Sequence, residues 1–474
     1  MDKESVIKMP FTSDLTDRTT HVDIVNNPDI QHFLSNCKYM IEPTGEEATQ
    51  IASLFSGAPS CKHLLPNNII AIDGGNYEAS IDENLPFTRL GYVKVGNILI
   101  KRNSFTELGS ERFIDPFKVA QITKNNAATV FAFPSSNMVY KGQTTVRDSF
   151  RLAMDGYLYK YRTNPADSKT SLRSTLFKLA SYRSNIKQAS AAAELILHKC
   201  PNPECNAEDI PVWDIAESQQ CPTCHHTIYP SDCLRIWEEV DDNSSNQTAL
   251  TRFTNVVEHL FAMHYIRMVV ENSPNSFVDT LSNLCFFMDG PLAIFGNSAW
   301  VHASILKYLA ELNKTMRAHG KSDILILGLC KSGAVYDYFK LIDTDLSENS
   351  IYCLTDKIRE RYVNFNRTSS ETTFGNETYY GQDFIYKTAS GRLFVFNIPY
   401  PVATKSSTTN FELEKSKIEN YANLGTYLSL LNDFECDLYE SAVVPVALAK
   451  RHTAISLNPG SKVLDLLTKA NLQK

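Results

Sequence analysis

The sequence predicts an α/β fold in which a mixed sheet is flanked by helices and carries a helical insertion and a small four-cysteine module. Three observations predict it. Two short apolar runs far apart in the chain, Ile69–Ile72 and Leu284–Met288, each stop at an Asp-Gly pair. Such runs, bounded by turn formers, describe strands buried on both faces. Long segments between and after them carry apolar residues at three- and four-residue spacing, the period of a helix packed on a sheet. Cys200 and Cys205, then Cys221 and Cys224, form two close pairs.

With 474 residues the chain is long enough for two or three domains or for one elaborated core. No segment approaches the roughly 18 consecutive apolar residues of a membrane helix. The start, MDKESVIKMPFTSDLTDRTTH, lacks a basic stretch followed by an apolar one, so no secretory signal and a cytoplasmic location are expected. A net charge of −7 and a pI of about 5.9 exclude a protein that coats nucleic acid through bulk charge. They leave open an enzyme that cuts it, because metal-binding carboxylates themselves add negative charge. Of eleven cysteines, seven are scattered and four are clustered, which predicts reduced thiols plus a metal.

Residues 1–68, punctuated by Asn26-Asn27-Pro28 and Pro66-Asn67-Asn68, read as a helical lead-in. The first core strand then ends at Asp73, where Asp73-Gly74-Gly75 is expected to turn. Leu90–Ile100 reads as a strand hairpin turning at Gly96-Asn97. A strand with an acid followed by a hairpin is the opening order of a ribonuclease H-like sheet, so residues 69–104 are taken as the first part of the core. Residues 105–198 are expected to form a helical insertion or cap, with helices over Arg147–Tyr161 and Leu172–Leu197.

Residues 199–234 are expected to form a separate zinc ribbon. Each cysteine pair can fill two corners of a tetrahedron from one tight turn, so four thiolates close a structural zinc site with no open position for catalysis. His225 and His226 adjoin the second pair and are reserve donors.

The second part of the core, residues 235–474, begins with a largely apolar helix over Ala249–Glu271. Within it Glu258 has Phe261, Ala262 and Tyr265 as helical neighbours. A carboxylate so placed either faces a cation or pairs with Arg252 or Arg267. Glu271 lies at the helix end, where solvent is expected. Asp289 is followed by a helix over Ala299–Ala318 and a strand over Ile324–Leu329. Lys331 is at that strand's tip, where it either meets a phosphate or orients water, or is a surface lysine. A strand near Ile351–Leu354 and a hairpin of Phe384–Tyr386 with Leu393–Phe396 follow. The last region is helical and gathers Lys450, Arg451 and His452. Asp73 and Asp289 on neighbouring strands would make a divalent-cation site.

These residues resemble the NurA nuclease family, in the larger bacterial form with a zinc-ribbon insertion. The resemblance covers most of the chain and is carried by IDGGNYEA at 72–79, CPTCHHTIYPSDCLRIWEE at 221–239, FFMDGPLAIFG at 286–296, GLCKSG at 328–333, ETYYGQDFIYKTASGRLFVFNIPYP at 377–401 and LYESAVVPVALAKRHTAIS at 438–456. It implies a ribonuclease H-like, manganese- or magnesium-dependent DNA nuclease. It also implies a homodimer that works with HerA, a hexameric DNA-translocating ATPase, in DNA end processing or anti-phage defence. Asp73 and Asp289 match the family's two catalytic aspartates. Glu258 is assigned as the glutamate on the preceding helix, with Glu271 as fallback and Glu78 as a further acid near Asp73. The family's Ala-His-x-x-Ala segment reads Ala449-Lys450-Arg451-His452-Thr453-Ala454 here, so Lys450 stands at the usual histidine position and His452 lies two residues on.

Asp73, Asp289 and Glu258 would then supply hard oxygen ligands to one or two Mn²⁺ or Mg²⁺ ions, held about 4 Å apart in a two-ion hydrolysis. Lys331 and His452 or Lys450 would neutralise charge on the phosphate. The rival expectation is a catalytically weak scaffold that docks on a HerA-type ring and gates DNA, with the zinc module as docking surface.

Overall fold

The computed structural model describes residues 26–37, 39–82, 84–109, 126–183, 194–364, 373–405, 410–435 and 441–454. Helices α1 (Pro28–Ser35) and α2 (Gly45–Ala52) lead to the short β1 (Ser56–Gly57). Thr44 and Glu47 close a capping box at the start of α2, satisfying amides that the first helical turn leaves without partners. Then come β2 (Asn68–Asp82), β3 (Leu85–Lys101), α3 (Arg102–Gly109), β4 (Asn126–Pro134), α4 (Val146–Lys160) and α5 (Leu172–Ala180). The cysteine-bearing stretch holds β5 (Glu194–Lys199), β6 (Glu208–Trp213), β7 (Gln219–Gln220) and β8 (Thr227–Ile228). After the long α6 (Gln247–Asn272) follow α7 (Phe277–Ser282), β9 (Leu284–Asp289), α8 (Trp300–Ala318), β10 (Leu325–Cys330) and α9 (Ala334–Leu341). The remainder includes β11 (Ser350–Cys353), β12 (Gly381–Lys387), β13 (Leu393–Pro399), α10 (Leu424–Phe434) and α11 (Val444–Thr453), with short helical turns between them.

Nine strands form one mixed sheet in the order β1-β11-β12-β13-β10-β9-β2-β3-β4. Three adjacent strands, β10, β9 and β2, are parallel, and every other neighbouring pair is antiparallel. Side chains alternate across it. Ile72, Phe286, Met288 and Ile326 join a core with α4, α5, α6 and α8 on one face. Ile69, Ala71, Cys285, Phe287 and Leu327 join a second core with α10 and α11 on the other. No described helix is long and apolar enough to cross a membrane.

Four expectations are corrected. The first strand does not stop at Asp73: β2 continues to Asp82 and pairs with β3 along almost its whole length, Asp73 facing Gly96. Gly96-Asn97 is therefore mid-strand, and the hairpin closes where Asp82 pairs with Leu85. In both places glycine admits a helix rather than a turn. A Cβ on Gly74 would lie 2.6 Å from Thr254 of α6, and one on Gly96 would lie 2.9 Å from Thr453 of α11. Third, the span 105–198 is not a purely helical cap, because β4 is an edge strand of the main sheet and pairs with β3. The helix expected over Leu172–Leu197 ends at Ala180, and Glu194–Lys199 is a strand paired with β6. Fourth, the cysteine module is not separate. Leu195, Leu197, Ile210 and Val212 pack into the same core as α4 and α6.

The helix expected over Ala249–Glu271 and the strands ending at Asp289 and Cys330 are found where the sequence puts them. The C-terminal helical expectation is met by α10 and α11, while its stretch beyond residue 454 lies outside the described residues.

Candidate metal and catalytic site

Of the three parallel neighbours, β9 and β10 present their carboxyl ends at one edge of the sheet, the edge where open α/β sheets bind ligands, and β2 runs on past them. Register fixes what meets there. Ile72 pairs with Met288, so Asp73 continues β2 just past the last paired position and lies beside Asp289 at the tip of β9. Asp289 pairs in turn with Leu329, two residues before Lys331. Strands about 4.8 Å apart thus bring Asp73, Asp289 and Lys331 side by side, and the odd-numbered alternation turns all three to the α10–α11 face.

Lys331 Nζ is 2.6 Å from Asp289 Oδ2. The carboxyls of Asp73 and Asp289 lie close enough to feel each other's charge. Burial, followed by the charge of Asp289, pushes the Asp73 carboxyl up to about 7. The Thr453 hydroxyl on α11 donates to Asp73 Oδ2 and opposes that rise.

Glu258 arrives from the opposite face. It projects from α6 over the rim, accepts a hydrogen bond from the Gly74 amide, and sits close enough to Asp73 and Asp289 to feel both charges. Desolvation and those two carboxylates hold its carboxyl well above the ordinary range. Neither proposed ion-pair partner is available: Arg252 binds Glu239 at 3.3 Å and Arg267 binds Glu271 at 2.8 Å. Glu271 is thereby removed as the third acid, about 20 Å further along the helix at 1.5 Å per residue.

Glu78 is removed as well, on the strand's other face. Burial raises its carboxyl, but hydrogen bonds from Ser135, Ser245 and the Asn246 amide, with Arg89 at 3.0 Å, bring it below the ordinary value. It fastens the start of α6 to β2.

His452 stands next to the residue that reaches Asp73. Partial burial and the neighbouring charges of Lys94 and Arg451 hold its imidazole below the ordinary value. Lys450 and Arg451 are exposed. From α11 it is Thr453 that bonds to Asp73, a residue no motif in the sequence singles out. Its signal was the stripe Val446, Ala449, Thr453, at helical spacing on the buried side of α11.

Three carboxyls therefore converge, and among the described residues Lys331 is the cation bonded to them. One buried and two half-buried carboxylates, in excess of their cations and held as hard oxygen donors, fit a divalent ion of the magnesium or manganese type.

The four cysteines also meet. Their sulfurs lie within 4.8 Å of one another, with Cys200 and Cys224 at 3.6 Å and Cys205 and Cys221 at 3.9 Å. Four sulfurs at about 2.3 Å from a tetrahedral zinc are about 3.8 Å apart, so the set fits zinc. His226 is not a fifth donor in this arrangement, since its ring turns to Asp148 and Arg151. Arg151, 1% exposed, anchors the module: it binds Asp232 twice, Asp148 once and the Thr227 carbonyl.

The family model described as the NurA domain matches residues 67–455. No curated protein matches the chain. Among solved structures, the crystal structure of the NurA nuclease from Sulfolobus solfataricus aligns over 96% of this chain and 98% of its own, at 9% identity and a TM-score of 0.32. A second structure, described as a crystal structure of NurA, aligns over 95% of each chain at 12% identity and a TM-score of 0.25.

Proposed function

Since the chain belongs to the NurA domain family, a family of nucleases, we propose that it is a metal-dependent deoxyribonuclease that hydrolyses phosphodiester bonds by a two-ion mechanism. The observation that carries this is the convergence of Asp73, Asp289 and Glu258, beside Lys331, at the carboxyl edge of three parallel strands. It supports a ribonuclease H-like core and favours the nuclease over the scaffold.

In this proposal Asp73, Asp289 and Glu258 hold Mn²⁺ or Mg²⁺. Bound divalent ions supply positive charge at a phosphodiester and make water acidic enough to attack near neutral pH. The chain's own residues do the rest. Thr453 fixes the orientation of Asp73, and the Gly74 amide fixes Glu258. Lys331 keeps an ammonium at the rim, where it balances Asp289 in the free protein and meets the phosphate when DNA arrives. His452 and Lys450, on the same helix as Thr453, add donors for the DNA backbone. The four cysteines hold a structural zinc. The protein works in the cytoplasm as a homodimer with a HerA-type hexameric ATPase, in DNA end processing or defence against phage.

Asp73→Asn and Asp289→Asn test the core of this reading on linear DNA with Mn²⁺, with and without a HerA-type partner. Cleavage is expected to fall to background in both variants while the circular dichroism spectrum is kept. If both cut as well as the parent, the acids are not catalytic. If the parent cuts in neither condition, the scaffold stands instead.

A further inference from the structure

Past Asp289 the chain has left the sheet, yet the next five residues are fixed as firmly as a strand. Gly290 N–H donates to the Leu329 carbonyl at 2.9 Å, and Leu292 N–H donates to the side chain of the buried Asn397 at 3.2 Å. Tyr380 N–H donates to the Leu292 carbonyl at 2.8 Å, and Ile294 N–H to the Thr378 carbonyl at 2.9 Å. Two further groups go to one side chain on α6. Asn255 donates from Nδ2 to the Ala293 carbonyl at 3.1 Å and accepts the Phe295 N–H on Oδ1 at 3.3 Å.

Helical spacing gives that clamp its meaning. Residues 254 and 258 lie on one stripe of α6, and residues 255 and 259 on the next. The first stripe holds β2: Thr254 accepts from Asn76 at 3.2 Å, and Glu258 accepts the Gly74 amide. The second holds the segment after β9: Asn255 binds Ala293 and Phe295, and His259 bonds to Ala293 and to the Tyr380 hydroxyl. The helix thus bridges the strand bearing Asp73 and the segment that follows Asp289, while it delivers the third acid itself.

We propose that Asn255 is a positioning residue for the cation site: its two-pronged amide clamp sets where Glu258 stands relative to Asp289, and so the affinity of the site for divalent metal. The proposal rests on the three-carboxylate site described above. Partners that orient metal ligands without touching the metal are worth about 10- to 100-fold in metal affinity.

The test is Mn²⁺ binding to the full chain without DNA, followed by paramagnetic resonance of the free ion, for the parent, Asn255→Ala and Asn283→Ala. Asn283 is the matched control at the amino end of the same strands, where its Oδ1 accepts the Asn67 N–H at 2.7 Å. Thermal midpoints are recorded in chelator. Both variants are expected to lose a similar few degrees. Asn255→Ala is expected to weaken Mn²⁺ binding about tenfold and to cut DNA at close to the parental rate once Mn²⁺ is raised to saturation. Asn283→Ala is expected to bind Mn²⁺ like the parent. Mn²⁺ binding by Asn255→Ala within twofold of the parent overturns the proposal. A parent that binds no Mn²⁺ overturns the cation site and the clamp's role together, and a parent that binds Mn²⁺ without cutting DNA overturns the nuclease alone.

Discussion

Gly74 shows how much a missing side chain can specify. A Cβ there would stand 2.6 Å from Thr254 Cγ2 and 2.7 Å from Glu258 Oε1, so Gly74→Ala must push Glu258 aside. Displacing a catalytic group by about 1 Å can cost about a hundredfold in rate, whereas overpacking costs about 1–3 kcal/mol of stability. A loss of about two orders of magnitude in Mn²⁺-dependent cleavage is expected, with a folded circular dichroism spectrum and a modestly lowered thermal midpoint.

Asp73 gives a pH signature. Its carboxyl ordinarily titrates at 3.8 and is raised to about 7 in the fold, so across that interval the folded protein binds a proton that the unfolded chain has released. Stability from this group is complete below about 3.8 and is lost as pH rises through about 7. Thermal midpoints in chelator should fall from pH 5 to pH 8, Asp73→Asn should flatten that slope, and Mn²⁺ should raise the midpoint more at pH 8 than at pH 5. Both aspartates were legible in the sequence because each ends an apolar run, and Glu258 because its helical neighbours are apolar. Thr453 was not, since threonine is an ordinary core-facing residue until something charged lies opposite it.

Local propensity misled where tertiary pairing decided. Asp-Gly-Gly favours a turn, but β2 has fourteen partnered positions along β3, and that pairing outweighs the turn preference. Helical spacing over Leu172–Leu197 obscured an alternation at Leu195, Ile196 and Leu197 that belongs to β5, whose partner β6 comes later in the chain. The cysteine spacing, in contrast, carries its geometry within the motif and was read correctly as a cluster.

What the spacing did not reveal is the module's attachment through Arg151. Breaking a buried ion pair from one side costs about 3–5 kcal/mol, because the partner's charge is left unpaired. Arg151→Ala is expected to destabilise the protein by about that amount in denaturant titration. Zinc should also leave at a lower chelator concentration, because the same residue holds both Asp232 and the Thr227 carbonyl at the module's base. Zinc content of the purified chain, expected at one ion per molecule, sets the baseline.

Across the molecule, one nine-stranded sheet separates two helical layers that make no common core. The layer built on α6 contributes Glu258, and the layer built on α11 contributes the hydroxyl on Asp73. The acids meet only because β9 and β10 stop together at one edge while their parallel neighbour β2 runs on. That arrangement follows from strand order, which apolar patterning leaves unstated, and so the residues of the site were more legible than the architecture that assembles them. A consequence follows for how the molecule comes apart. An ion captured between Glu258 and the two aspartates behaves as a rivet through the rim of a laminate: with it in place the α6 layer cannot peel from the sheet without releasing the charge, so in the loaded protein that layer and the sheet fail together where in the empty one they can delaminate by stages.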